Sequence, residues 1–515
     1  MVTHSDEPAG PNLAEGVPAA DVREGSAVSG HVGDEAVLLT RVANEIFAIG
    51  GKCTHYGGPL GEGIVSGDTV RCPWHHACFS LRTGEALRAP AFDPVARWRV
   101  ETSGDRIIVR EKLPKVAEDA ASRTRNRPNT GRFVIVGGGA AGFAAAEHLR
   151  RLGFGGELTI FSADPDLPVD RPNLSKDFLA GKAPEDWVFI KSADFYEEHD
   201  IRVELAAPVT SLDTEKKEIR LANGQSFTFD RLLLATGAEP VRLPIPGADG
   251  PHVFTLRSLA DSRAIIEKAG VSKVAVVVGA SFIGLEAAAS LIERGLKVHV
   301  VAPDARPLEK ILGPELGDFV RAEHEAHGVV FHLGRKPSAI EGQRVLLDDG
   351  TRLDADLVVM GVGVRPRTQL AEQAGLRVDR GVVVDAFLET SVPGIFAAGD
   401  IARFPYSGAG GAVRIEHWVV AERQGQIAAA NMLGRRLRYD QAPFFWSQHY
   451  DVPINYVGHA ECWDTTEVEG NIGDRNGLVK FRSGGRLVAV ASIFRDKESL
   501  LAELDLERSL YRRVS

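Results

Sequence analysis

The stretch RFVIVGGGAAGFAAAEHLRRLG, residues 132–153, predicts a β-strand, a glycine-rich turn and an α-helix in direct succession. Its short Val and Ile run is typical of a strand buried on both faces of a parallel sheet. The turn carries Gly137, Gly139 and Gly142 in a G-x-G-x-x-G pattern. In that pattern, backbone N–H groups and the helix N-terminus receive a pyrophosphate. The stretch therefore predicts a dinucleotide-binding βαβ unit.

A second copy of this unit lies 142 residues further along the chain, in VAVVVGASFIGLEAAASLIERG at 274–295. Its turn carries Gly279, Ser281 and Gly284, and Ser at the middle position is small enough to keep most of the close backbone approach. One glycine pattern alone is weak evidence, because glycine turns also serve packing in any α/β domain. Two copies, each between a strand and a helix, predict two dinucleotide-binding domains.

The chain before this α/β region has a different texture. From Val17 to about Leu113, short strand-like runs such as AVLLTRV and ARWRVE are broken by Gly, Pro and Asp, which predicts a small all-β domain. After about Ala442, mixed strands and a final helix predict a smaller α+β domain. The sequence therefore indicates a multidomain chain.

Two Cys–His pairs lie in the predicted all-β region: Cys53-Thr-His55 and, sixteen residues later, Cys72-Pro-Trp-His75. Two thiolates and two imidazoles are the ligand set of a Rieske 2Fe–2S cluster, in which the thiolates hold one iron and the imidazoles the other. The alternative is a Cys₂His₂ structural zinc site, but zinc fingers usually place both His ligands together. Because each segment supplies one Cys and one His, the pattern favours the Rieske cluster.

Composition excludes several classes of protein. A net charge of −10 gives no reason to expect nucleic acid, whose binding depends on clustered Lys and Arg. Four cysteines are too few for a disulfide scaffold in a chain of 515 residues. No apolar run reaches the length of a membrane span, and the polar start lacks the features of a signal peptide. We expect a cytoplasmic protein without a membrane partner.

From about Arg132 to its end, the chain resembles flavoprotein reductases with two dinucleotide domains. It is closest to ferredoxin reductases of oxygenase systems and to apoptosis-inducing-factor-like proteins. The segments that carry the resemblance are LPVDRPNLSKDFL, TLRSLADSR, GVGVRP, IFAAGD and IEHWVVAERQGQIAAANML. In front of them, CTHYGGPL and CPWHHACF resemble Rieske ferredoxins. The whole arrangement is similar to the Rieske-bearing subgroup of the apoptosis-inducing-factor-like proteins.

The resemblance implies an order of domains along the chain. We expect a flexible tail (1–15), a Rieske 2Fe–2S domain (16–112), a linker (113–131), the first part of an FAD-binding domain (132–250), an NAD(P)-binding domain (251–372), the second part of the FAD-binding domain (373–440) and a small α+β C-terminal domain (441–515).

The resemblance also implies roles for single residues. FAD would be held by Gly137, Gly139 and Gly142, approached by Arg171, Lys176, Arg257 and Asp400, contacted at its adenine by Val209 and stacked upon by Trp418. The nicotinamide dinucleotide would be held by Gly279, Ser281 and Gly284, with Glu286 near the nicotinamide. The predicted catalytic residues are Lys176, Glu286 and Trp418, whereas His417, Cys462 and Trp463 are interpreted as structural.

Two positions depart from the usual dinucleotide pattern. An acidic residue normally ends the second strand of each unit and holds a ribose, but Ser162 and Ala302 stand near those points. Asp164 is a substitute at the first site. At the second site Asp304 would suit NADH, while Arg306 would suit the 2′-phosphate of NADPH. We favour NADH and keep NADPH as the alternative.

Together these features predict an NAD(P)H-dependent FAD oxidoreductase of the ferredoxin-reductase type. Electrons would pass through FAD to the chain's own cluster, and on to an oxygenase, a cytochrome P450 or a carrier. The alternative is a redox-responsive, apoptosis-inducing-factor-like signalling or binding protein with slow turnover. Under either function, a homodimer is one option for the assembly of this protein. A disulfide reductase would need a Cys-x-x-Cys pair, which the sequence lacks. A terminal Rieske oxygenase would need a mononuclear iron site, for which the sequence offers no clear candidate.

Overall fold

The computed structural model describes residues 10–114 and 131–511. Most of the predicted tail and most of the predicted linker lie outside these residues. The described chain divides into two compact units, the first comprising 10–114, 147–155 and 495–511 and the second 131–146 and 156–494. The finer division into seven parts stays a prediction.

The first unit is built on ten short strands. Their bounds are β1 Val17–Pro18, β2 Ala27–Val32, β3 Glu35–Val42, β4 Glu45–Gly50, β5 Ile64–Ser66, β6 Thr69–Arg71, β7 Cys78–Ser80, β8 Ala86–Arg88, β9 Arg97–Ser103 and β10 Arg106–Leu113, with a 3₁₀ turn at Leu60–Glu62. One antiparallel sheet has the order β1-β10-β9-β4-β3-β2 and the other β5-β6-β7-β8. Inward-facing side chains such as Leu38, Ile49 and Phe79 form a core of this unit. The predicted all-β domain is confirmed.

The second unit contains two parallel sheets of five strands. The strands of the first sheet are β11 Arg132–Val136, β12 Glu157–Phe161, β13 Arg202–Glu204, β17 Arg231–Leu234 and β29 Ile395–Ala397. Those of the second are β19 Val253–Thr255, β20 Val274–Val278, β21 Lys297–Ala302, β22 Val330–Leu333 and β26 Leu357–Met360. The orders are β13-β12-β11-β17-β29 and β19-β26-β20-β21-β22. The middle strands, β11 and β20, are the two that precede the glycine turns, so the predicted pair of α/β domains is confirmed.

Smaller sheets complete the second unit. Their strands are β14 Val209–Asp213, β15 Glu218–Leu221, β16 Ser226–Thr228, β18 Ala238–Pro240, β23 Pro337–Ile340, β24 Arg344–Leu347, β25 Arg352–Asp354, β27 Val364–Pro366, β28 Val382–Val383, β30 Ala402–Tyr406 and β31 Gly411–Val413. A final antiparallel sheet, in the order β32-β33-β36-β35-β34, comprises β32 Phe444–His449, β33 Val452–Gly458, β34 Thr465–Asn471, β35 Asn476–Ser483 and β36 Arg486–Ile493.

Nine α-helices occur in the described residues. Their bounds are α1 Ala140–Arg151, α2 Asp177–Ala180, α3 Ala193–Glu198, α4 Leu259–Ala269, α5 Phe282–Glu293, α6 Glu309–Ala326, α7 Gln369–Gln373, α8 Trp418–Met432 and α9 Asp496–Tyr511, with 3₁₀ turns at Arg171–Ser175 and Glu185–Val188. The helices α1 and α5 follow the two glycine turns directly. Within the described ranges, no helix is both long and apolar enough to cross a membrane.

The C-terminal helix α9 belongs to the first unit, although the sequence groups it with the strands that precede it. It buries Ser499, Leu500 and Glu503 completely or nearly so. Residues 147–155, which include the last turn of α1, belong to the same unit. There, the guanidinium of Arg151 donates a hydrogen bond to the Ala86 carbonyl. The first unit therefore combines the β domain with helical segments from distant parts of the chain.

Candidate functional site

The two glycine turns share one backbone geometry. Gly137 and Gly279 follow β11 and β20 with φ of +115° and +106°, in the region that favours glycine. A Cβ atom on Gly142 would lie 1.9 Å from the Gly137 carbonyl oxygen, and one on Gly284 would lie 2.2 Å from that of Gly279. The turns therefore tolerate no side chain at the third glycine, which in this pattern lets the helix pack closely against the strand and turn before it.

Ser281 has a structural purpose in the second turn. Its hydroxyl accepts a hydrogen bond from the Gly284 backbone N–H at 3.3 Å and donates one to the Gly361 carbonyl at 2.7 Å. It is the N-cap of α5. The replacement of the usual glycine thus caps the helix that follows the turn.

A cavity of about 430 Å³ lies in the second unit, within the size range of small-molecule and cofactor sites. Both glycine turns contribute to its wall. Eight residues that the sequence predicts for the site line it: Gly139, Arg171, Lys176, Arg257, Ser281, Glu286, Asp400 and Trp418. Four further predicted glycines form the turns without lining the cavity: Gly137, Gly142, Gly279 and Gly284. Val209 begins β14, half-buried, and does not line the cavity either.

An ion pair connects the two α/β domains at the cavity. Lys176 Nζ lies 2.8 Å from Glu286 Oε2, and Glu286 is 3% exposed. The hydroxyls of Ser175 and Ser447 each donate a hydrogen bond of 2.6 Å to the same carboxylate. Three donors therefore compensate for the burial of the Glu286 charge. The pair places an ammonium group and a carboxylate in the wall of the cavity.

Four further charged residues line the cavity: Arg171, Arg257, Asp400 and Glu416. Arg257 Nη2 lies 2.5 Å from Asp400 Oδ2, and Arg171 Nη2 lies 3.2 Å from Asp164 Oδ2. Burial and the neighbouring charge of Arg257 lower the pKa of Arg171 to about 10, so its guanidinium stays charged at neutral pH. Asp164 pairs with Arg171 beside Ser162, close to the first glycine turn. Arg171 and Arg257 are the guanidinium groups of the cavity wall that an anionic ligand would contact.

Aromatic side chains cover another side of the cavity. Trp418 begins α8, and His417 precedes it as the N-cap residue. The sequence interpreted His417 as structural, but it lines the cavity and packs against Phe445 with ring centroids 4.4 Å apart. Phe445 and Trp446 also line the cavity, and sequence reasoning missed both. The run of three aromatic residues that begins β32, Phe444-Phe445-Trp446, is the sequence feature that could have indicated them.

The residues fit an FAD and a nicotinamide dinucleotide. Two buried polar atoms at the cavity, Arg257 Nε and His417 Nδ1, have no hydrogen-bond partner within the described residues. Burial lowers the pKa of His417 to about 3, which keeps its imidazole neutral. A bound dinucleotide would give these buried atoms a hydrogen-bond partner and would lie against glycine turns that carry no side chains.

The two Cys–His pairs lie on neighbouring loops of the first unit, after β4 and between β6 and β7. His55 Nδ1 lies 3.2 Å from His75 Nδ1, close to the roughly 3.3 Å expected between two nitrogens bound tetrahedrally to one metal ion. The thiols of Cys53 and Cys72 lie close enough to interact, which lowers the pKa of Cys53 and raises that of Cys72. The loops thus present one pair of imidazoles and one pair of thiols.

Loop geometry and burial suit these donors to a cluster. A Cβ atom on Gly58 would lie 2.7 Å from Cys72 Sγ, so this loop approaches the sulfur without a side chain. Burial lowers the pKa of His55 to about 3, and a neutral imidazole is the form that binds metal. No group of three or more His, Cys, Asp and Glu within 10–114 and 131–511 could hold a single metal ion. Two donor pairs are what a two-iron cluster needs, and the residues fit it.

Two other cysteines, one tryptophan and one histidine belong to neither Cys–His pair. Cys78 is buried at the start of β7, and Cys462 is exposed. Trp463 packs against Phe481 with ring centroids 4.9 Å apart. His76, which follows the ligand candidate His75 directly, is buried with its Nδ1 atom 3.3 Å from Glu503 of α9.

Comparison with protein families agrees with both sites. Residues 131–425 match the family described as pyridine nucleotide-disulphide oxidoreductase, which covers more than half of the chain. The chain belongs to this family. Residues 15–99 match the Rieske [2Fe-2S] domain. The family match implies FAD and NAD(P)H, and the Rieske domain implies a 2Fe–2S cluster.

Curated relatives of this flavoprotein family cover either the whole chain or its reductase part. Apoptosis-inducing factor 3 of Homo sapiens is 32% identical over 489 residues, covering 92% of this chain and 80% of its own length. Putidaredoxin reductase of Pseudomonas putida is 35% identical over 71% of this chain and 89% of its own length. Rhodocoxin reductase of Rhodococcus erythropolis is 34% identical over 72% of this chain and 88% of its own length.

A solved structure of the covalent putidaredoxin reductase–putidaredoxin complex superposes on this family member with a TM-score of 0.71. The sequences are 33% identical, and the match covers 73% of this chain and 93% of the other. The predicted family, fold class and oxidoreductase activity are confirmed. The chain is a ferredoxin-reductase-type NAD(P)H oxidoreductase with a Rieske domain.

The twin glycine turns allow a paired test of the two dinucleotide sites. We expect Gly142→Ala to lower the FAD content of the purified protein about tenfold, because the added methyl group would displace the backbone that receives the pyrophosphate. Gly284→Ala should leave FAD bound and raise the Kd for the nicotinamide dinucleotide about tenfold. Flavin absorbance per chain and NADH titration measure the two effects.

A matched control is Gly270→Ala, at the end of α4. Gly270 has φ of −60°, and its added Cβ would make only ordinary contacts, the nearest at 3.4 Å. It should leave both ligands bound. Equal loss of FAD in the Gly142 and Gly284 variants would show that the two turns do not serve different ligands.

Proposed function

We propose that this protein takes electrons from a nicotinamide cofactor through FAD to its own Rieske cluster and on to an external acceptor. The observation that carries the proposal is the cavity in which both glycine turns meet the Lys176–Glu286 pair. The same chain carries the paired imidazoles and thiols of the first unit. A dinucleotide site for a hydride donor and a one-electron centre are the two ends of such a pathway.

The residues of the cavity have distinct tasks in this scheme. FAD would accept a hydride from the nicotinamide and pass on electrons one at a time. Arg171 and Arg257 offer positive charge to a pyrophosphate, and Asp400 offers a carboxylate to hydroxyl groups. Trp418 and Phe445 exclude water from one side of the cavity. The Lys176 ammonium supplies a proton donor that Glu286 holds in place.

The charged groups after β21 favour NADH over NADPH. Arg306, the residue suited to a 2′-phosphate, lies 2.8 Å from Asp318 and 3.1 Å from Glu309. Asp304 lies 2.7 Å from Lys310. A phosphate at Arg306 would therefore compete with two carboxylates that already hold this guanidinium.

We expect kcat/KM for NADH to exceed that for NADPH by about tenfold or more. The double variant Glu309→Gln with Asp318→Asn should narrow that ratio, because it releases Arg306 from both carboxylates. Steady-state reduction of ferricyanide with each nicotinamide measures the ratio. A wild-type preference for NADPH would refute this assignment.

The proposal names the class of the electron acceptor. The relatives include putidaredoxin reductase and rhodocoxin reductase, whose names indicate electron transfer to a small carrier protein. An oxygenase, a cytochrome P450 or a separate electron carrier would fit the same position here. The cluster belongs to the ferredoxin-like class of Rieske centres, which lies at the low end of the Rieske range of potentials.

A second candidate function has one observation in its favour. Apoptosis-inducing factor 3 of Homo sapiens matches 92% of this chain, so the match includes both the Rieske part and the reductase part. A redox-responsive binding protein would keep a long-lived complex of reduced flavin and nicotinamide and would turn over slowly. Fast steady-state reduction of external one-electron acceptors would favour the reductase function over this second candidate.

The deciding experiment is an anaerobic titration of the purified full chain with NADH. Visible absorption follows the flavin, and low-temperature EPR follows the reduced cluster. Flavin bleaching together with a Rieske EPR signal supports the proposed pathway. Flavin bleaching with an oxidised cluster would refute transfer to the chain's own cluster and favour the second candidate.

A further inference from the structure

A buried chain of hydrogen bonds begins at the Lys176–Glu286 pair and leads away from the cavity. Ser447, in β32, donates a hydrogen bond of 2.6 Å to Glu286 Oε1. Its Oγ atom lies 3.2 Å from His449 Nε2, two residues further along the strand. Ser447 and His449 are 0% and 1% exposed. No cofactor contact of the proposed function requires either side chain.

The chain continues through a second imidazole to the edge of the unit. His449 Nδ1 lies 3.1 Å from His324 Nε2, in α6. His324 Nδ1 lies 3.3 Å from the hydroxyl of Tyr450, a half-buried residue. Tyr450 stacks on His327 with ring centroids 3.5 Å apart, and His327 is exposed. The contacts therefore run without a gap from the buried carboxylate to a side chain near solvent.

The ionised carboxylate fixes the direction of every hydrogen bond in this chain. A carboxylate only accepts, so Ser447 must donate to Glu286 and must accept from His449 Nε2. A neutral imidazole carries one N–H, so His449 Nδ1 accepts from His324 Nε2. His324 Nδ1 then accepts from the Tyr450 hydroxyl. All four hydrogen bonds point inward, and both imidazoles have the same tautomer.

Both imidazoles are held in the neutral form that this arrangement needs. Burial, aided by the charge of Lys176, lowers the pKa of His449 to about 3. Burial also lowers the pKa of His324 well below its ordinary value, and His449 and His327 add to that effect. Neutral imidazoles accept a proton on one nitrogen and release another from the second nitrogen, which suits them to proton transfer.

We propose that Tyr450, His324, His449 and Ser447 form a proton relay that connects solvent with the Lys176–Glu286 pair at the flavin site. This inference rests on the proposed function, because it assigns the relay to the chemistry of that site. A buried redox centre that gains or loses protons needs a path for them. Within the described residues, this series of hydrogen bonds is such a path.

The transfer is balanced in protons and electrons. Solvent gives one proton to Tyr450, one proton moves across each of the four hydrogen bonds, and Glu286 receives one. A bound flavin would take two electrons and one proton from NADH as a hydride, and the proton held on Glu286 would balance the negative charge that the hydride adds. Once two one-electron acceptors had removed those electrons, the proton on Glu286 would leave through the relay and the hydride-derived proton would leave into the cavity. Inward transfer reverses each hydrogen bond, so the relay is set for outward transfer.

His449→Gln separates proton transfer from structure. A glutamine amide can donate to Ser447 and accept from His324, but it does not exchange one proton for another as imidazole does. Tyr450→Phe removes only the outermost hydroxyl and serves as a second variant if the first folds poorly. The control is His332→Gln. His332 Nε2 lies 3.1 Å from His299 Nδ1 in a separate histidine pair of the same unit, without a link to Glu286.

The first readout is nitrogen-15 NMR of the histidines in the full chain without turnover. We expect His324 and His449 both as neutral Nε2–H tautomers at neutral pH, in the wild type and in His332→Gln. An imidazolium, or a neutral Nδ1–H tautomer, at either histidine would overturn the proposed relay.

The second readout is the rate of proton uptake, followed with an indicator dye while the bound flavin is photoreduced without nicotinamide. We expect uptake to slow about tenfold or more in His449→Gln and in Tyr450→Phe, with the extent of photoreduction unchanged, and to keep its wild-type rate in His332→Gln. Wild-type rates in both relay variants, or no uptake in the wild type, would overturn the relay. Because photoreduction bypasses NADH, failure of the relay remains distinct from failure of the nicotinamide–flavin–cluster pathway.

Discussion

Replacing Cys72 by serine should remove the Rieske cluster from the protein while the flavin stays bound. Cys72 is 1% exposed and presents its sulfur next to Cys53 in the first unit. A serine hydroxyl does not ionise at neutral pH and is a poor ligand for iron, so one iron would lose half of its protein ligands. We expect iron to fall from about two atoms per chain to fewer than about 0.2, with loss of the EPR signal.

The control for this variant is Cys78→Ala, which removes another buried thiol of the same domain. Cys78 lies at the start of β7 and belongs to neither Cys–His pair. Its variant should keep the full iron content and the EPR signal. Retention of the cluster in Cys72→Ser, or its loss in Cys78→Ala, would contradict the assignment of the thiolate ligands. Iron analysis and flavin absorbance on the same samples distinguish cluster loss from unfolding.

The second large effect that we expect is on the stability of the first unit. It concerns the contact of the C-terminal helix α9 with the β domain. Glu503, which is 0% exposed, lies 2.7 Å from Arg71. Glu507 lies 2.9 Å from Arg71 and also pairs with Arg88. Burial disfavours the charge of Arg88, but Glu507 and Glu503 together hold its pKa above the ordinary value. Two part-buried cations thus depend on two carboxylates of α9.

The double variant Glu503→Gln with Glu507→Gln should lower the free energy of unfolding of the first unit by about 3–5 kcal/mol. It would leave the part-buried guanidinium groups of Arg71 and Arg88 without their counter-charges, and that penalty exceeds the loss of a surface ion pair. Denaturant unfolding followed by the visible circular dichroism of the cluster measures the change. Hydrogen exchange of α9 should rise in parallel.

Asp505→Asn is the matched control on the same helix. Asp505 is exposed and lies 3.4 Å from Arg508, so its loss should change stability by no more than about 0.5 kcal/mol. A double variant as stable as this control would show that the buried ion pairs do not hold α9 on the β domain.

The sequence predicted the features whose chemistry depends on neighbouring residues. The first glycine pattern, formed by Gly137, Gly139 and Gly142, predicts a turn. It does so because the backbone conformation and close packing that glycine permits are local properties. Cys53 and His55 identify a metal loop for the same reason, since two ligands one residue apart act within one short segment. The alternation of short apolar strands with helical stretches was enough for the fold class.

Other features could not be predicted because they depend on contacts between distant segments. His324 and His449 are 125 residues apart in sequence and meet only where α6 packs against β32. Phe445 and Trp446 read as strand residues, and the fold places them in the cavity wall. In the sequence, Glu503 cannot be distinguished from the other charged residues of its helix. In the fold it pairs with Arg71, from which it is 432 residues distant in sequence.

By itself, then, the sequence determined the type of each domain, the two glycine turns and the two ligand loops, because each of these is encoded in a few adjacent residues. The tertiary structure decided which side chains share the cavity, which carboxylates neutralise the buried arginines and how Glu286 is linked to Tyr450. Those choices arise from the burial of apolar surface along whole helices and sheets, which brings together polar groups that no local pattern connects.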